Sequence, residues 1–133
     1  MNNRVKETHM GRARILIAED DTSILEAIRL ILEDEGYEVA TTANGKAIQD
    51  LKEDLPDLLL LDIWLAGMDG IRICQQLKSQ ELTKQLPVIL CSANKDTEEL
   101  TRVCGADDFI AKPFELDDLL AKVAKHTAVV VQG

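Results

Sequence analysis

From residue 14 onward, short apolar runs alternate with stretches whose apolar residues recur at helical spacing. Residues 15–18 form the first run and predict a strand. Ile24, Leu25, Ile28, Ile31 and Leu32 then mark one face of a helix, and Gly36 fits the C′ position that ends it. Residues 37–40 predict a second strand. Ala47, Ile48 and Leu51 mark a short second helix that stops before Pro56. Residues 58–61 are four consecutive leucines, the pattern of a parallel strand buried on both faces. A turn over residues 67–70 leads into a helix carrying Ile71, Cys74 and Leu77. Residues 88–91 predict a fourth strand, and Leu100, Val103 and Cys104 give the apolar side of a helix closed by Gly105. Residues 109–111 are a fifth, short strand. Leu116, Leu119, Leu120 and Val123 fall at i, i+3, i+4 and i+7, a final amphipathic helix.

Five β-α units in regular alternation predict an α/β fold: a doubly wound, five-stranded parallel sheet, (βα)5, with helices on both faces. The chain has 133 residues, enough for one domain and too few for two with separate cores. The expected domain covers residues 13–127. Residues 1–12, polar and without a secretory pattern, read as a leader or an expression-tag remnant and are expected to be disordered. Residues 128–133 are an apolar tail that either packs on the body or begins a linker.

Net charge is −9, which opposes contact with phosphate backbones and anionic lipid, so direct nucleic-acid or membrane binding by this domain is not expected. No apolar run approaches the length of a membrane span, and the protein is expected in the cytoplasm. The three cysteines, Cys74, Cys91 and Cys104, lack metal or thiol-redox spacing and read as small buried hydrophobes.

In an open parallel sheet, ligands bind beyond the carboxyl ends of the strands. There the first run gives way to Glu19, Asp20 and Asp21, the third to Asp62, the fourth to Ser92 and the fifth to Lys112 followed by Pro113. Carboxylates converging at one edge repel one another, and a divalent cation relieves that repulsion. An all-oxygen ligand set suits Mg²⁺ and fits zinc or iron poorly. Single residues have plainer readings. Asp21 or Thr22 can N-cap the first helix, with Ser23 and Glu26 at capping-box spacing. Ser92 can be a turn residue and Lys112 a solvated lysine. Asp62 is harder to explain away, because it sits between Leu58–Leu61 and Ile63-Trp64-Leu65, where an unpaired carboxylate is costly. Taken together, the residues describe phosphoryl transfer to a carboxylate, with Asp62 as nucleophile and Asp20, Lys112 and Ser92 neutralising the transferring group.

The pattern Ile15-Leu16-Ile17-Ala18-Glu19-Asp20-Asp21, Leu60-Leu61-Asp62, Met68-Asp69-Gly70, Ser92-Ala93 and Lys112-Pro113-Phe114 resembles the receiver domain of two-component response regulators. The resemblance implies the flavodoxin-like strand order 2-1-3-4-5 and a phosphoacceptor role for Asp62. The implied donor is a histidine kinase or a histidine phosphotransfer protein. It further implies Mg²⁺ bound directly by Asp20 and Asp62, through water by Glu19, and by the backbone carbonyl of Trp64. Ser92 and Phe109 would be the switch residues, Lys112 would pair with the phosphoryl group, and the bond before Pro113 would be cis. The segment 96–126 would be the face for a phosphorylation-dependent homodimer or a partner, with output through a downstream protein or an effector domain outside this chain. Ala66 and Gly67 replace a proline common in the family, and Trp64 and Asn94 stand at variable positions that govern access of water to the phosphoryl group.

Three other readings are open to test. An aspartate-nucleophile phosphatase would need a second acid two residues after Asp62, where Trp64 stands. A flavin carrier would need a phosphate-binding loop where Glu19-Asp20-Asp21 would repel phosphate. A degenerate receiver would have lost acceptor, metal or lysine positions, all of which are present. The chemistry expected is self-phosphorylation and slow loss of the phosphate, not enzymatic turnover.

Overall fold

The computed structural model describes residues 12–65, 67–93 and 97–127. The expected leader up to residue 11, the tail 128–133, Ala66 and Asn94 lie outside the described residues.

Five parallel strands form the main sheet: β1 (Arg14–Ala18), β2 (Glu38–Thr42), β3 (Leu58–Asp62), β6 (Val88–Ser92) and β7 (Asp108–Ala111). Their order is β2-β1-β3-β6-β7, so the five main strands run 2-1-3-4-5 as the resemblance implied. Two short strands, β4 (Trp64–Leu65) and β5 (Met68–Asp69), pair antiparallel after β3 and were not foreseen. The helices are α1 (Thr22–Asp34), α2 (Gly45–Gln49), α3 (Gly70–Ser79), α4 (Thr97–Cys104) and α5 (Leu116–Thr127).

Because successive side chains of a strand point to opposite faces, the leucine run of β3 feeds two cores at once. Leu59 and Leu61 join Ile73, Cys74, Leu77, Val88, Leu90 and Cys104 under α3 and α4. Leu58 and Leu60 join Ile15, Ile17, Ile28, Leu32, Ile110, Leu119 and Val123 under α1 and α5. Truncating any one of these four leucines to alanine would cost about 2–5 kcal/mol. The centre of the sheet is thus rigid, and its strand ends are fixed platforms.

Local signals account for the helix ends. Asp21 is the N-cap of α1, accepting from the backbone N–H of Ser23 at 3.0 Å and Ile24 at 3.1 Å. The anticipated Ser23/Glu26 capping box is not formed, because Glu26 pairs with Arg29 one turn on. Gly36 closes α1 at φ +97°, a conformation open to glycine.

Four expectations are corrected. Strand β2 begins one residue later and runs two residues further than its apolar letters suggest, because Thr41 and Thr42 extend the ladder opposite Ile17 and Ala18. Helix α2 stops at Gln49, leaving Leu51 outside the helix but still packed on the core. In α4, Val103 is 61% exposed. Thr101 takes the inward position beside Leu100 and Cys104, since residues 100, 101 and 104 share a face that 103 does not. Leu116, at the start of α5, is likewise half exposed.

Candidate functional site

All the strand-end residues singled out above gather at one edge of the sheet. Glu19 directly follows β1, Asp62 and Ser92 are the last residues of β3 and β6, and Lys112 directly follows β7. The parallel register sets Ala18 beside Leu61, Asp62 beside Cys91, and Ser92 beside Ala111, so neighbouring strands end level with one another. One carboxylate oxygen each from Glu19, Asp20 and Asp62 lies within 4.8 Å of the others. Glu19 and Asp62 are buried and Asp20 is exposed, so the cluster has two fixed walls and an open mouth.

The lysine enters from the far side. Lys112 Nζ donates to Glu19 Oε1 at 2.6 Å and stands 3.5 Å from Asp62 Oδ1. Its backbone N–H donates to the Ser92 carbonyl at 2.8 Å, which ties the end of β7 to β6. The peptide bond between Lys112 and Pro113 is cis, as expected. Glu19 is held at both ends, its N–H donating to the Thr42 carbonyl and its Oε2 accepting from the Asp21 N–H at 3.1 Å.

Burial drives the Asp62 carboxyl up to about 6. Lys112 opposes that rise, Glu19 adds to it, and the Trp64 N–H, 3.4 Å from Asp62 Oδ1, opposes it. Burial alone would lower the Lys112 pKa, but Glu19 and Asp62 outweigh it and hold the ammonium above its ordinary value. At neutral pH the edge therefore carries a largely ionised Asp62 facing a permanent cation.

The β4-β5 hairpin contributes what the strand-end rule could not supply. It places Trp64, 64% exposed, at the mouth and turns the Trp64 N–H onto Asp62. It also lets α3 start against β3: the Gly70 N–H donates to the Ile63 carbonyl at 2.6 Å, and a Cβ at Gly70 would lie 2.5 Å from the Asp62 carbonyl oxygen. The Met68-Asp69-Gly70 triplet was the available sign of this close approach.

Of the two expected switch residues, Ser92 is buried at the end of β6. Phe109, in β7, is half-buried and packs against the core under α3 and α4. Sequence reading missed its clamp. Lys122 of α5 donates to the Phe109 carbonyl at 2.6 Å and holds its ammonium 4.8 Å from the ring centroid.

A family model described as the response regulator receiver domain matches residues 15–124. The phosphate regulon transcriptional regulatory protein PhoB of Rhizobium meliloti is 39% identical over 113 residues, which cover 83% of this chain and 50% of that protein. The chain thus spans about half the length of the curated relatives it matches. A response regulator of Chloroflexus aurantiacus superposes with a TM-score of 0.82 at 34% identity, covering 88% of this chain and 98% of that one. The receiver domain of the Pseudomonas aeruginosa sensor histidine kinase PA1611, solved with magnesium coordinated in its active-site cleft, superposes with a TM-score of 0.74 at 26% identity, covering 88% of this chain and 98% of that one. Sequence and fold agree with the strand-end chemistry, and this chain belongs to the response regulator receiver domain family, the phosphoacceptor module of two-component signalling.

Proposed function

We propose that Asp62 is the residue that takes the phosphoryl group, from a phosphohistidine of a histidine kinase or histidine phosphotransfer protein. The observation that carries this reading is the meeting of Glu19, Asp20 and Asp62 within 4.8 Å beside the Lys112 ammonium at one sheet edge. An Asp62 oxygen forms the new bond to phosphorus as the bond to the donor imidazole nitrogen breaks, and the imidazole leaves with its electron pair. No general base is required, because Asp62 is mostly ionised at neutral pH.

The donor set is all oxygen and open on the Asp20 side, which suits a hard divalent cation such as Mg²⁺. Asp20 and Asp62 would hold it directly, Glu19 through a water, and the Trp64 carbonyl would complete the protein's share. Magnesium coordinated in the PA1611 receiver supports the assignment. When bound, the cation would neutralise charge building on the phosphoryl oxygens. Lys112 would turn from Glu19 toward a phosphoryl oxygen, and the Ser92 hydroxyl would donate to another. Phe109 would then turn inward into the space that Ser92 vacates, and that face would pass the signal on.

The output goes to a downstream protein or an effector domain outside this chain, or through a phosphorylation-dependent homodimer. The reaction is stoichiometric self-phosphorylation with slow hydrolysis rather than enzymatic turnover. No helix of the described residues is long and apolar enough to cross a membrane, consistent with work in the cytoplasm.

Intact mass after incubation with acetyl phosphate tests the reading. One labile phosphoryl group is expected with Mg²⁺, and none without metal or in Asp62→Asn. Failure to form an adduct with acetyl phosphate and with phosphohistidine donors alike would overturn it.

A further inference from the structure

Cys74 and Cys104 have no motif spacing, yet the fold brings them together. Cys74 lies in α3 and Cys104 is the last residue of α4. Cys74 Sγ donates to the Cys104 carbonyl at 3.7 Å and Cys104 Sγ donates to the Thr101 carbonyl at 3.8 Å, so the first thiol lies against the backbone of the second cysteine. Both are buried, at 0% and 3% exposure. Cys91 belongs to the other core, under α1 and α5, and is an internal reference.

The pair is chemically unequal. The neighbouring Cys74 thiol, the backbone N–H groups of Ala106 and Cys104 and the Lys78 charge lower the Cys104 thiol against the cost of burial. The neighbouring Cys104 thiol and burial push the Cys74 thiol up. Cys104, at the end of α4 between exposed residues, is the thiol an oxidant meets first and so the nucleophile, and Cys74, inside α3, is the thiol that resolves. Access is from the end of α4, where exposed Val103 and Gly105 flank Cys104, so that opening of the last helical turn suffices.

We propose that Cys74 and Cys104 are a reversible oxidation site at which a hydroperoxide cross-links α3 to the end of α4. The Cys104 thiolate attacks the peroxide oxygen and the O–O bond breaks. This leaves a sulfenic acid on Cys104 and an alkoxide or hydroxide that takes up the proton Cys104 released. Cys74 sulfur then attacks the Cys104 sulfur, the S–O bond breaks, and the hydroxyl leaves as water with the Cys74 proton. Two electrons from the two sulfurs reduce the peroxide, and a dithiol reductant restores both thiols. Helix α4 lies between Ser92 and Phe109 in the chain, so fixing it against α3 bears on the output face. That consequence, unlike the cross-link itself, rests on the phosphorylation reading.

The experiment exposes the full chain to hydrogen peroxide in native buffer, alkylates it, and measures intact mass and non-reducing peptide maps. The result expected is a linked Cys74–Cys104 peptide with two hydrogens lost and Cys91 the one thiol left to alkylate, and dithiothreitol added before alkylation restores the other two. Cys91→Ser should behave the same, Cys104→Ser should resist, and Cys74→Ser should stop at a Cys104 sulfenic acid trapped by dimedone. Three free thiols after native treatment, a cross-link that forms only in denaturant, or one that includes Cys91 would overturn the proposal. Phosphoryl uptake plays no part in this readout, so its failure and that of the phosphorylation reading are separable.

Discussion

Lys112 Nζ bonds to Glu19 Oε1 at 2.6 Å across 93 residues of sequence, closing the site between the outer end of β7 and the end of β1. The same ammonium lies 3.5 Å from Asp62, so one cation serves two carboxylates of a three-acid cluster.

A divalent ion at the cluster must share Glu19 and Asp62 with that lysine. Lys112→Met, which keeps the stem and removes the charge, should therefore bind Mg²⁺ more tightly, by about tenfold or less given solvent screening at the open side. Trp64, the only tryptophan, reports the titration by fluorescence from beside Asp62. Phosphoryl uptake should fall in the same variant, because Lys112 no longer meets the incoming oxygens. Equal or weaker Mg²⁺ binding by Lys112→Met would show that the lysine does not compete for the cluster, and a fluorescence change retained in Asp20→Ala would remove Asp20 from the ligand set.

Asp62 carries a stability cost that its chemistry demands. Its folded pKa of about 6 lies above the unfolded value, so the folded chain holds that proton more tightly and loses stability as pH rises from about 4 through 6. Asp62→Asn removes the cost. In metal-free buffer at pH 7 the variant should be more stable than the parent by about 1–3 kcal/mol, with the difference fading below pH ~4. Urea denaturation at both pH values checks this, and an Asn variant no more stable at pH 7 would mean that the buried carboxylate is better compensated than its surroundings indicate.

Gly70 fixes how closely α3 approaches the acceptor strand. A Cβ there would stand 2.5 Å from the Asp62 carbonyl oxygen, 2.8 Å from Ile63 Cα and 2.9 Å from the Ile63 carbonyl oxygen, all of them backbone atoms that no side-chain rotation relieves. Gly70→Ala should cost about 2–4 kcal/mol and slow phosphoryl uptake, because relief must move the backbone that carries Asp62. Paired melting and labelling experiments decide it. Loss of stability with unchanged uptake would place the strain elsewhere.

What could be read from the sequence follows physical range. The leucines of β3 declared a doubly buried strand because burial on two faces leaves no polar letters, and each strand end then pointed to Glu19, Asp62, Ser92 and Lys112. The β4-β5 hairpin was hidden because two-residue strands are too short to show alternation. Val103 deceived because an eight-residue helix does not give enough turns to separate an inward position from its neighbour. The Lys122 clamp on Phe109 and the Cys74–Cys104 contact were invisible because they join different elements and leave no mark in either.

Asp108 gives the acid limb of the stability curve. Burial would raise its pKa, but the His126 Nε2 at 2.8 Å, the Phe109 N–H at 2.9 Å and Lys122 Nζ at 3.8 Å together hold it below the ordinary aspartate value. A depressed carboxyl contributes stability above its unfolded pKa and loses it as pH falls through the folded one. The contribution is therefore present at neutral pH and decays only in acid, below pH ~4. Asp108→Asn preserves the shape while removing the charge, so parent and variant should differ above that point and converge as pH falls toward ~2. The urea midpoint measured across this range supplies the test. A gap between the two proteins that stays constant with pH would mean that lost hydrogen-bond geometry, rather than charge, ties the end of α5 to β7. Convergence would assign the tie to charge, and with it the anchoring of the Lys122 ammonium over the Phe109 ring.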